Sequence, residues 1–131
     1  MGRNKEPVVL LDTHIIIWLY AALREKLTKT AEIAIETHQL RMSPFSRLEI
    51  QYLFEINKIT AKPDAIYKSL AKSLGLEIFD TRLDLIIDHA INIQWTRDTF
   101  DRLIVAEAMC ADCGLITADR AIRRHFKGAV W

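Results

Sequence analysis

The sequence predicts a single α/β domain with a mostly parallel sheet covered on both faces. Two observations point there. Short apolar runs alternate with helical periodicity from one end to the other, which is how parallel strands joined by crossover helices read. The first of these runs, Val8–Leu11, is also continuously apolar, as in a strand buried on both faces. The length, 131 residues, suits one domain spanning 1–131 and is enough to bury a core without disulfides or a structural metal.

Val8–Leu11 opens the series as a buried strand ending at Asp12. A helix is expected over His14–Arg24 and another over Thr28–His38, then a strand at Leu40–Met42. Ser43-Pro44 is a strong helix start: serine caps, and proline needs no partner for its missing N–H. That helix is expected to reach about Lys58. Pro63 opens the next, with Gly75 as its left-handed cap. Leu76–Phe79 reads as a strand, and Asp80 or Thr81 as the cap of a helix through Ile91. Thr99–Cys113 is expected to be one long helix ended by Gly114, followed by a strand at Leu115–Thr117, a short basic helix after Asp119, and an edge strand at Ala129–Trp131.

Half the residues are hydrophobic and 27% charged, which excludes a disordered chain. With a net charge of +1, any nucleic-acid affinity must be local. Arg120, Arg123, Arg124 and Lys127 do crowd one short segment, readable either as such a patch or as a solvated helix. No apolar run approaches a membrane span and the N-terminus lacks a signal-peptide layout, so a cytoplasmic protein is expected. Cys110 and Cys113 are too few ligands for a zinc site and close a helix where a redox pair would open one; they read as reduced and structural.

Four carboxylates occupy positions a core would not choose. Glu49 shares its helix face with Phe45, Tyr52, Leu53 and Ile56, and Asp101 with Ile104, Val105 and Ala108. An ionised carboxylate in a dry interior is costly without a partner. Asp12 and Asp119 follow strands, at the edge where open parallel sheets bind ligands. Two carboxylates about 5 Å apart repel by roughly 3 kcal/mol at an effective dielectric near 20. A shared divalent cation with hard oxygen ligands, Mg²⁺ or Mn²⁺, resolves that repulsion. Each acid also has a structural reading. Asp98 and Asp119 can cap helices, Asp101 suits a helix N-terminus, Ser46-x-x-Glu49 resembles a capping box and Asp12 can open a turn. His14 reads either as a ligand or base, or as a helix-start histidine.

Four segments together resemble the PIN domains, and within them the VapC-type toxins of toxin–antitoxin pairs. They are Leu10-Leu11-Asp12-Thr13-His14 with Ile15-Ile16-Ile17-Trp18, Ser43-Pro44-Phe45-Ser46-Arg47-Leu48-Glu49-Ile50, Arg97-Asp98-Thr99-Phe100-Asp101-Arg102 through Ala108, and Leu115-Ile116-Thr117-Ala118-Asp119. Their order and spacing agree over essentially the whole chain; Thr99 stands where that branch often has proline.

The resemblance implies a three-layer α/β/α sandwich around a parallel sheet of four or five strands. It implies RNA phosphodiester hydrolysis with one or two Mg²⁺ or Mn²⁺ ions on Asp12, Glu49, Asp101 and Asp119, with Asp98 a further acid often near the metal. Thr117 is expected to support the site through its hydroxyl, and Arg102, Arg120, Arg123 and Arg124 are candidates for RNA contact. It also implies a homodimer and a small antitoxin that blocks the active site. The alternative is a catalytically silent PIN-like module that binds RNA or protein.

Overall fold

The computed structural model describes residues 6–131. Five parallel strands form one sheet: β1 (Val8–Leu11), β2 (Gln39–Met42), β3 (Glu77–Ile78), β4 (Gly114–Ile116) and β5 (Ala129–Val130), in the order β3-β2-β1-β4-β5. Seven α-helices among the described residues cover it: α1 (Thr13–Tyr20), α2 (Lys29–Thr37), α3 (Pro44–Glu55), α4 (Pro63–Leu74), α5 (Leu83–Ile91), α6 (Thr99–Cys110) and α7 (Arg120–His125). The expected three-layer α/β/α arrangement is what forms.

Strand alternation splits the core in two. Val9, Leu11, Leu40, Met42 and Ile116 face α1, α2 and α4, where Ile15, Ile16, Ile35, Ile66 and Leu70 meet them. Leu10 and Leu115 face the other way, against Ile86, Ile104, Val105, Ala108 and Ile122 of α5, α6 and α7. Strand order reverses at β1, which has β2 on one side and β4 on the other. In open α/β sheets the crevice beyond such a pair of strand ends is where ligands bind.

Several expected boundaries move. The first helix stops at Tyr20, because Ala22 turns left-handed (φ 59°) and the chain continues into a 3₁₀ turn at Arg24–Lys26. The helix expected to reach Lys58 ends at Glu55, with Asn57 at φ 61°. Asp112, at φ 52°, ends α6 at Cys110, so Gly114 begins β4 instead of capping a helix. Neither Asp80 nor Thr81 caps α5; Arg82 precedes it with no side-chain cap. Gly75 is the left-handed cap of α4, as its position requires (φ 70°). Both cysteines are free. Among the described residues no helix is long and apolar enough to cross a membrane.

Candidate active site

Asp12 ends β1 and caps α1, so its carboxylate is fixed at both oxygens. Oδ1 accepts from the Thr13 N–H at 2.8 Å and Oδ2 from the Thr117 hydroxyl at 2.6 Å. Its own N–H donates to the Ile116 carbonyl across the sheet at 3.0 Å. The side chain is almost fully buried, at 6% exposure. Burial raises its pKa, against the lowering effect of the Thr117 and Thr13 bonds.

Thr117, fully buried just past β4, links two acids. While its hydroxyl donates to Asp12, its oxygen accepts the Asp119 N–H at 3.0 Å. Asp119 in turn caps α7, accepting the Ile122 N–H at 2.9 Å. Asp98 caps α6 and accepts the Asp101 N–H at 2.9 Å. The capping roles are therefore real for Asp12, Asp98 and Asp119.

Glu49 comes from the second turn of α3, which Ser43 caps through the Phe45 N–H at 3.0 Å. Desolvation is the main cause of its raised pKa. The nearby Thr13 hydroxyl lowers it, and the charges of Asp12 and Asp98 raise it. Asp101 is raised far above the usual carboxylate range. Desolvation, then Asp98, Asp12, Asp119 and Glu49, all push it upward, to about 7. Nothing acts in the opposite direction. Five carboxylates from four regions of the chain thus feel one another at the β1–β4 crevice, and the exposed His14 is the charged neighbour that lowers Asp12 and Glu49. Among the described residues, no group of three or more His, Cys, Asp or Glu side chains is drawn tightly enough to hold a metal ion as it stands.

Residues 9–127, nearly the whole chain, match the PIN domain family. The chain belongs to the PIN-domain family. PIN domains are nucleases, and that coarse class comes with membership. VapBC2 from Rickettsia felis, solved bound to a DNA fragment from its promoter, superposes on this PIN domain with a TM-score of 0.64 at 18% identity, covering 89% of this chain and 92% of the other. A toxin–antitoxin complex from Klebsiella pneumoniae gives 0.62 at 19% identity, covering 94% and 96%. At such identities the likeness is one of fold. No curated protein sequence matches the chain.

The expected arginines divide. Arg102 donates to the Ala90 carbonyl at 3.1 Å, across the α5–α6 seam. Arg120, Arg123 and Arg124 stand exposed on α7, with Arg123 reaching the Ala118 carbonyl at 3.5 Å.

Three polar residues of this PIN domain escaped the sequence reading. The Thr13 hydroxyl donates to Ser46 Oγ at 2.9 Å, and both residues are fully buried, tying α1 to α3 beside Glu49. The signal was available: Thr13 follows Asp12, and Ser46 lies one turn before Glu49. Glu107 of α6 is fully buried with neither carboxylate oxygen in a hydrogen bond. Desolvation raises its pKa, and the nearby Ser43 and Thr81 hydroxyls only moderate it. A lone glutamate between Ala106 and Ala108 was its signal.

Proposed function

We propose that this PIN domain is a Mg²⁺- or Mn²⁺-dependent ribonuclease and the toxin of a toxin–antitoxin pair. One observation carries the reading: Asp101 is raised to about 7 by burial and four other carboxylates, with no counter-charge of its own. Such a cluster persists in a folded protein where a cation supplies the missing positive charge.

The donor set fits a hard divalent ion, being carboxylate oxygen throughout. Asp12, Glu49 and Asp101 are the proposed ligands, with Asp119 serving a second ion or the attacking water and Asp98 at the margin. When bound, the ion supplies a Lewis acid for the scissile phosphate and a water of lowered pKa.

The chain's own residues do the rest. Thr117 and the Thr13 N–H hold Asp12 in one orientation, so the crevice is pre-set at its buried end. The Thr13–Ser46 bond fixes the helix that carries Glu49. Arg120, Arg123 and Arg124 lie on the short helix that Asp119 caps and would neutralise the phosphates of RNA that the acids alone would repel. The partner expectations draw support from two exposed apolar stripes. Leu48, Tyr52 and Ile56 line α3 (61%, 50% and 42% exposed), and Leu83, Ile87 and Ile91 line α5 (58%, 39% and 61%). A second copy and an antitoxin would each need such a surface.

The test is RNA cleavage with Mn²⁺ by the wild type and by Asp101→Asn combined with Glu49→Gln. The double variant should fold and lose cleavage. Undiminished cleavage by the wild type in excess EDTA would overturn the mechanism.

A further inference from the structure

Away from the carboxylates, the least explained feature is a pair of flat rings. Trp95, in the α5–α6 loop, and His125, the last residue of α7, lie with centroids 4.9 Å apart and planes only 5° from parallel. Trp95 is half-buried and packs against the α5–α6–α7 core, so it is the fixed layer. His125 is exposed, and its Nδ1 lies 2.9 Å from the Ala121 carbonyl, which sets the ring's orientation. One face of the imidazole therefore rests on the indole while the opposite face meets solvent.

The surroundings are cationic. Arg123, Arg124 and Lys127 flank His125 in sequence, and all are exposed. Among the described residues the ion pairs are Arg41–Glu77, Lys68–Asp64 and Arg82–Asp84, so none of these cations is neutralised by a carboxylate. The position relative to the acids is also defined. Trp95 lies three residues before Asp98, and α7 runs from the Asp119 cap to His125 in six residues, about 9 Å at the usual helical rise.

An exposed π-face beside unpaired cations is the chemistry of single-stranded nucleic-acid binding, in which bases stack and phosphates are neutralised. We infer that the Trp95–His125 stack is a nucleobase platform: a base of single-stranded RNA lies on the open face of His125 as a third layer, with Arg124 and Lys127 on its neighbouring phosphates. This rests on the nuclease reading above and adds a substrate form to it. Bases in a duplex have their faces covered and cannot use the platform, so it selects single strands or loops.

The experiment measures binding of a fluorescein-labelled, mixed-sequence single-stranded oligoribonucleotide, and of the same sequence as a duplex, in EDTA so that nothing is cut. His125→Ala should weaken the single strand by roughly 5- to 100-fold, the range expected for one stacked base. Duplex binding should barely change. His125→Phe, which keeps a π-face, should restore most of the affinity. His125→Gln, which can still reach Ala121 but has no ring, should behave like alanine and serves if His125→Ala loosens α7.

Unchanged single-strand binding in His125→Ala, or an equal loss for duplex, would overturn the platform. So would a His125→Phe variant as weak as alanine. If RNA binding survives His125→Ala while binding of a poly-glutamate peptide falls, the patch docks protein and the inference is wrong. Cleavage with Mn²⁺, read in parallel, separates this from the nuclease reading. A wild type that cuts nothing but binds single strands through His125 sinks only the latter. Normal cleavage with unchanged KM in His125→Ala sinks only the platform.

Discussion

Replacing Asp101 by asparagine should make the metal-free protein more stable, although it removes a proposed ligand. The carboxyl rises from 3.8 to about 7 on folding. At about 1.4 kcal/mol per tenfold in proton affinity, that corresponds to roughly 4 kcal/mol. Asp101 keeps part of its surface in water, and screening there reduces the figure to about 2 kcal/mol. The sign follows from linkage. Below pH 4 both folded and unfolded chains hold the proton and there is no penalty. Between pH 4 and 7 the unfolded chain ionises first, so stability is lost as pH rises, and above 7 the loss is complete.

Thermal melts in EDTA should therefore show Asp101→Asn melting above the wild type by roughly 5–10 °C at pH 8, with the gap closing towards pH 4. Adding Mn²⁺ at about 100 times its Kd should lift the wild type by about 2.7 kcal/mol and the variant much less. A variant less stable than wild type at pH 8, or a gap indifferent to pH, would mean that these carboxylates are not crowded, and the argument for a cation site would go with it.

Two further outcomes follow from the buried hydroxyl and the buried glutamate. Thr117→Val keeps the shape but removes both the donor to Asp12 and the acceptor for the Asp119 N–H. It should lower kcat/KM by about 10- to 100-fold and cost about 1–3 kcal/mol in a denaturant melt, whereas Thr117→Ser should retain most of both. Glu107→Met should stabilise the protein by about 1–3 kcal/mol at pH 8 without loss of cleavage, since the wild-type carboxyl is unpaired and its raised pKa makes it stabilising only at low pH. A destabilised Glu107→Met would assign that carboxylate a partner.

The strands were legible because β1 and β4 are apolar runs closed by Asp12 and Thr117, and β2 and β3 alternate apolar with polar residues before Ser43 and Asp80, patterning that is local. Helix ends were not. Ala22, Asn57 and Asp112 adopt left-handed backbone without being glycine; asparagine and aspartate tolerate that region better than most residues, but they are common elsewhere too, so they mark a helix end far less sharply than glycine does. Gly75 was readable because there the residue and its conformation agree. At the site, Glu49 and Asp101 stood out as charges on apolar stripes, and Asp12 and Asp119 as acids after strands; the Glu49 stripe was not the core face it was expected to be, since Tyr52 and Ile56 stand 50% and 42% exposed where α3 leaves the sheet. The direction of Arg102 could not be read, because a residue at the edge of a helix stripe can serve either neighbour, and the Ala90 carbonyl takes it. Glu107 could not be told from a solvent-facing glutamate in the sequence, because α6 is apolar nearly all round and leaves no polar side to place it on.

The sheet's outermost strands, β3 and β5, are two residues long each. So brief a rim offers few free backbone groups for an extra strand to pair with, which guards against runaway β-stacking between molecules. Any chain that joins this one must consequently lie across side chains on the helical layers, and its recognition will be read out in shape and apolar fit instead of main-chain ladders.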